Sequence, residues 1–288
     1  MKRVLAATDF SPRSHRAVRR AGLLARQTGA ELVLLYVVDG DRPEHLVALE
    51  RTEARKMLDE TVASLAELRG VACRPVIETG AAHDAILETA RTIPADLIVM
   101  GTHRKHLLRD IFTGTTIERV IRTGSWPVLM VNTASAHPYA HVLAAVDLSE
   151  ASAEALRAAH ALAFIGTSQL SVTHAFEAVA KPKMLLADVP KDKIDAYIEG
   201  ERQQALAALA AFMKELPFDP GAWSPHVVER EAMPAISEAV ATLRPDLLVV
   251  GTHGRSGLAK ILLGSVAEQV LRQLEIDILA VPSTAARG

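Results

Sequence analysis

The sequence predicts an α/β protein built as two tandem three-layer sandwiches, each around a five-stranded parallel sheet. Three observations predict it. Short apolar runs alternate with helical patterns along all 288 residues. Strands separated by helices run parallel, with right-handed crossovers. Hydrophobic residues make up 49% of the chain but aromatics only 4%, so the core is Ala, Val, Leu and Ile, as in helix-covered parallel sheets. Finally, the chain repeats itself. Val4–Ser11 (VLAATDFS) and Val142–Ser149 (VLAAVDLS) share six of eight positions at an offset of 138 residues, and Asp96–His103 (DLIVMGTH) returns as Asp246–His253 (DLLVVGTH) at an offset of 150. The second copy therefore carries a net insertion of 12 residues between the two matches.

In chain order, the run from residue 3 to 8 reads as a buried strand. Ser11 and Pro12 supply an N-cap and a first-turn proline. Ala17, Val18, Ala21, Leu24 and Ala25 recur at helical spacing until Thr28-Gly29 stops the helix. Residues 31–38 form the second strand, 43–68 a long helix, and 71–78, 81–92, 96–101, 115–123 and 127–132 continue the alternation to five strands and four helices. The second half repeats the order over residues 141–146, 150–164, 169–175, 194–214, 224–228, 232–242, 247–251, 265–274 and 276–281. The insertion is placed near residues 177–195, where Lys181-Pro182-Lys183 and Pro190-Lys191 predict an exposed loop or a helix start. The polar stretch 132–140 reads as the linker, giving domains 1–137 and 138–288.

Composition excludes several classes. Lys plus Arg total 32 and Asp plus Glu 34, a net charge of −2 that gives no support to nucleic-acid binding. No uncharged apolar stretch reaches membrane-spanning length. The one cysteine, Cys73, makes neither an internal disulfide nor a cysteine metal cage, and reads as a small core residue in a reducing cytoplasm.

In open α/β sheets ligands bind beyond the carboxyl ends of the strands. Asp9 and Asp147 end the first strands, and Gly101 and Gly251 the fourth. In the second half Gly251-Thr-His-Gly254-Arg255 leads through Lys260 to Gly264-Ser265 and a helix start. Unpaired N–H groups at that start favour an anion, glycine lets a phosphate approach closely, and Ser265 adds a hydroxyl. This is neither a Walker loop nor a Rossmann glycine pattern, since it follows strand four and lacks the Gly-Lys-Ser/Thr ending. Taken singly, the aspartates read as turn or cap residues and the glycines as turn geometry. Their combination favours a ligand for Asp147 and the second-half glycines and leaves the two readings of Asp9 even.

The spacing Gly251-x2-Gly254-x9-Gly264-Ser265, with Asp147 ending strand one, resembles the universal stress protein family, and the loop GTHGRSGLAKILLGSVAEQV is similar to its ATP-binding branch. The resemblance covers the whole chain. It implies strand order 3-2-1-4-5, with ATP across the sheet switch. It places Asp147 and Ala175 beside the adenine, and Val250 and Gly251 against the nucleoside. Gly254, Gly264, Ser265 and Val266 hold ribose and phosphates. The first-half counterparts are Asp9, Val37, Met100, Gly101, Gly114 and Thr115, but Arg104 replaces the second glycine. That arginine either fills the phosphate space, leaving a degenerate site, which is the preferred reading, or binds phosphate itself. The resemblance also implies that the last strands, 127–131 and 277–281, pair between the halves as an internal pseudo-dimer, alongside any homodimer.

His103 and His253 read as loop or subunit contacts, and Arg104, Lys105 and Arg109 as a solvated face. No nucleophile stands beside a base, and Asp147, which could hold Mg²⁺ through phosphates, lacks a second acid. The expectation is a nucleotide-binding stress-response protein in which ATP stabilises one conformation or interface and hydrolysis is slow. The alternatives are a ligand-free partner-binding module of the same fold and an enzyme of the related nucleotide α-hydrolase group. The latter generally carries its phosphate loop after strand one.

Overall fold

The computed structural model describes residues 1–102, 115–134, 137–166, 168–219, 221–252 and 263–283. In the first half β1 (Arg3–Thr8), α1 (Pro12–Thr28), β2 (Glu31–Val38), α2 (Glu44–Ser64), β3 (Cys73–Thr79), α3 (Ala82–Thr92), β4 (Leu97–Gly101), α4 (Thr116–Thr123) and β5 (Val128–Val131) follow one another. The second half runs β6 (His141–Ala145), α5 (Glu150–Ala161), β7 (Gln169–Phe176), α6 (Lys181–Leu186), α7 (Lys191–Lys214), β8 (Trp223–Glu229), α8 (Ala232–Leu243), β9 (Leu247–Gly251), α9 (Ser265–Gln273) and β10 (Asp277–Val281). The insertion contributes α6, which buries none of its residues and leaves Leu185 and Leu186 exposed.

Local chemistry explains the boundaries. Ser11 caps α1 by accepting from the Ser14 amide, Pro12 opens the helix, and Gly29 closes it in the left-handed region at φ 68°. The inner strands are buried on both faces, whereas the edge strands β3 and β8 hold no fully buried residue. Val4, Ala6, Leu32, Leu34, Leu97 and Val99 face α1 and its neighbours, while Leu5, Val33, Leu35, Ile98 and Met100 face α3 and α4. This is why the strand sequences read as continuous apolar runs instead of alternating ones.

Each half has strand order 3-2-1-4-5, and the two sheets join into one of ten strands, β3-β2-β1-β4-β5-β10-β9-β6-β7-β8. The joint is an antiparallel β5–β10 pair in register Met130↔Ile278, Leu129↔Leu279 and Val128↔Ala280. The strands implied to pair between the halves do so within the chain. The outer edge strands β3 and β8 carry Pro75 and Pro225, which blunt them against further pairing. The 132–140 stretch is tied down: Tyr139 is buried, and Asn132 and Thr133 donate their amides to Asp277 Oδ1 at 2.9 Å each. Among the described residues, no helix is long and apolar enough to cross a membrane.

Candidate functional site

Beyond the carboxyl end of the second half's sheet lies a cavity of about 410 Å³. β6 brings Asp147 to it, β7 His174 and Ala175, and β9 Val250 and Gly251. The start of α9 supplies Gly264, Ser265 and Val266. Every expected second-half residue that the structure describes therefore lines one space. Gly254, like Arg255, Lys260 and His253, lies outside the described residues.

Two turns build the Asp147 corner. Leu148 takes φ 62°, which folds the chain back so that the Ser149 amide donates to Asp147 Oδ1 at 3.0 Å. The same oxygen accepts from the hydroxyls of Ser149 and Ser152, the latter at 2.7 Å, and the Asp147 amide donates to Ser152 Oγ at 3.1 Å. Asp147 is thus both an Asx-turn residue and part of the cavity wall. Across the cavity, Gly264 occupies the N-cap of α9 and, having no side chain, makes no cap hydrogen bond. The first-turn amides of α9 have no side-chain acceptor from their cap residue, which suits an anion.

The first half holds the matching cavity, of about 580 Å³. Asp9, Val37, Met100, Gly101 and Thr115 line it, while Arg104 and Gly114 lie outside the described residues. The Asp9 corner repeats the Asp147 corner: Phe10 has φ 58°, and the Ser11 amide and Ser14 hydroxyl donate to Oδ1 at 3.0 and 2.6 Å. Desolvation pushes the Asp9 carboxyl up, but the hydrogen bonds from Ser11 and Ser14 together outweigh it and hold the pKa below its ordinary value.

The halves differ at the helix mouth. Thr115 caps α4, its hydroxyl accepting from the Glu118 amide at 3.2 Å, where the second half has a bare glycine cap. They differ also in the walls. Thr8, Arg13, Tyr36 and Thr116 line the first cavity where Val146, Ala151, His174 and Val266 stand in the second half. His174 is buried, with Nδ1 3.0 Å from the Val146 carbonyl. Tyr36 donates its hydroxyl to Glu50 at 2.8 Å and stacks on Phe10. Burial, and then that bond to Glu50, push the Tyr36 phenol up to about 12.

Sequence reasoning missed Ser14, Ser152, Tyr36 and His174. The serines had a signal, since Ser11-x-x-Ser14 recurs as Ser149-x-x-Ser152 at the offset of the aspartates. Gly101 has a packing reason as well as a site position, because a Cβ there would stand 2.7 Å from the Arg13 carbonyl group. Among the described residues no group of three or more His, Cys, Asp or Glu could hold a metal ion.

Comparisons with known proteins agree with this architecture. The sequence profile of the Universal stress protein family matches the chain twice, over residues 1–132 and 138–282. Universal stress protein A homolog 1 of Coxiella burnetii is 34% identical over 144 residues, covering 50% of this chain and 96% of that protein. A universal stress protein of Mycolicibacterium smegmatis is 24% identical over 302 residues and covers 96% of both chains. The crystal structure of a universal stress protein from Archaeoglobus fulgidus superposes with a TM-score of 0.73 at 18% identity, covering 97% of this chain and 98% of that one, which shows the shared fold.

Proposed function

The chain belongs to the universal stress protein family, and from that premise we propose that it is a stress-response protein that binds an adenosine nucleotide, ATP foremost, in its second half. The observation that carries the reading is the open mouth of α9. Gly264 leaves the first-turn amides without a side-chain cap, on the same cavity as Asp147, Ala175, Val250, Gly251, Ser265 and Val266. In this reading Asp147 and Ala175 border the base, Val250 and Gly251 the nucleoside, and Gly254, Gly264, Ser265 and Val266 the ribose and phosphates. Mg²⁺ rides on the phosphates. The division into domains 1–137 and 138–288 assigns each cavity to one half.

The role is regulatory and not catalytic. Bound nucleotide stabilises one conformation by mass action, and any hydrolysis is slow. The working place is the cytoplasm, where the free Cys73 stays reduced. With β5 and β10 already paired to each other, a homodimer would have to form through other surfaces. A partner-binding module without ligand is the second reading, and the Asx-turn geometry favours it by giving Asp147 a structural task.

The test is to purify the protein, denature it and identify the released nucleotide, then repeat with Gly264→Val. Adenosine nucleotide from the wild type and markedly less from the variant supports the proposal. No binding by the wild type at millimolar ATP supports the partner module.

A further inference from the structure

We propose that α6 is a docking element for a second copy of this chain, its leucines seating on the apolar stripe of that copy's α2 in a reciprocal two-fold dimer. The large apolar side chains that stand exposed among the described residues fall into two patches. Val179, Leu185 and Leu186 form one, at α6, and Leu186 is 87% exposed. Leu46, Leu49 and Met57 form the other, at helical spacing along α2. Exposed apolar side chains gathered in this way mark a surface that binds another molecule. α6 adds nothing to the core, since it buries none of its residues. It is nevertheless held in place. Lys181 pairs with Glu229 at 2.8 Å, and the Ala180 amide donates to the Tyr197 hydroxyl at 3.2 Å.

Charge chooses the occupant. α6 contains Lys181 and Lys183 and no acid. Lys183, one turn before Leu186, has no partner among the described residues. Along α2, Glu50, Glu53 and Glu60 stand one turn from Leu46, Leu49 and Met57, so carboxylates interleave with the apolar stripe. Arg42 reaches Glu50 and Lys56 reaches Glu53, which leaves the stripe net negative. Arg51 and Arg55 lie on the other flank of α2, lining a groove with Ile77. A cationic apolar knob thus meets an acidic apolar stripe, and such complementarity fixes partner and register. The two cannot meet within one chain. α2 packs at the β3 end of the ten-stranded sheet, and α6 packs on α7 at the β8 end. Both ride on one helical layer, since Leu58 of α2 shares a core with Leu209 and Met213 of α7. A two-fold axis midway between the patches makes the contact twice and closes the dimer. The sheet edges do not compete, because β5 pairs with β10 and β3 and β8 carry prolines.

The test is sedimentation velocity of the full chain at rising concentration, alongside Leu186→Glu, Leu49→Lys and a mixture of the two variants. The wild type should pass from one copy to two and no further. Leu186→Glu sets a carboxylate against the acidic stripe, and Leu49→Lys sets an ammonium against Lys183. Each should weaken association at least about tenfold. In the mixture one contact is native and the other joins opposite charges, so the dimer should return. Melting curves show that each variant is folded. Should either fail to fold, Leu185→Glu or Leu46→Lys takes its place at an equally exposed position. A wild type that stays a single copy, growth beyond two copies, a Leu49→Lys protein that dimerises like the wild type, or a mixture that stays dissociated overturns the proposal. So does binding to anionic lipid vesicles by a chain that remains a single copy. None of these residues lines either cavity, so dimer formation and nucleotide binding fail separately.

Discussion

The Tyr139 hydroxyl donates to Asp277 Oδ2 at 2.7 Å, joining the segment between the halves to the strand that seals them. Asp277 is fully buried and lies 3.4 Å from Arg20 Nε, while the Arg20 guanidinium stands 4.2 Å from the Tyr139 ring centre. Burial, then the Asp277 charge, push the Tyr139 phenol well above its ordinary value. Removing one partner of such a group leaves a buried charge unmatched. Asp277→Ala should therefore cost about 3–5 kcal/mol, and Tyr139→Phe about 1.5–3 kcal/mol for one hydrogen bond to a charged acceptor. Urea unfolding of the two variants checks the order. Equal, small losses would show that the network does not hold the halves together.

Gly101→Ala should destabilise by about 1–3 kcal/mol through overpacking, because the added carbon would meet the Arg13 backbone at 2.7 Å. Thermal melting measures it. The loss should appear without any ligand, which separates packing from binding.

Acid stability should depend on Asp9. Its folded pKa lies below the ordinary carboxylate value, so its contribution is present above that value and lost as pH falls through the folded pKa. Ser14→Ala removes the hydroxyl bond to Oδ1 and should raise the Asp9 pKa. It should also cost about 1 kcal/mol near neutrality. Measuring stability against pH for wild type and variant shows whether the difference closes in acid, as it must.

Tyr36 works at the opposite end of the scale. Its phenol is pushed up to about 12, above the ordinary value of 10.0, so the stability it adds is complete below the ordinary value and fades as pH rises towards the folded one. Tyr36→Phe should flatten that part of the alkaline stability curve, and an ultraviolet titration should lose one late-ionising tyrosine.

Much of this was legible in the sequence because it is local or repeated. Strands buried on both faces show as apolar runs, the Ser11-Pro12 and Gly29 signals mark the ends of α1, and the offsets of 138 and 150 residues announce the duplication. The corner aspartates and Gly264 were legible because their neighbours repeat with them. What escaped depends on residues far apart in the chain. Tyr139 and Asp277 are 138 positions apart and follow no period, and their counterparts by the repeat, Met1 and Pro127, make no such pair. His174 and Tyr36 occupy equivalent strand positions with unlike chemistry. Strand alternation placed them without saying that they would wall a cavity. The insertion showed as prolines and lysines, but those do not reveal that α6 would leave Leu185 and Leu186 uncovered.

The most direct test of the central claim is a calorimetric titration of ATP into the full chain, with and without Gly264→Val. The expected result is ATP bound by the unaltered chain and a loss of at least about tenfold in affinity at the second cavity when Gly264→Val is introduced. Equal affinity in the two proteins, or no binding in either, would contradict it.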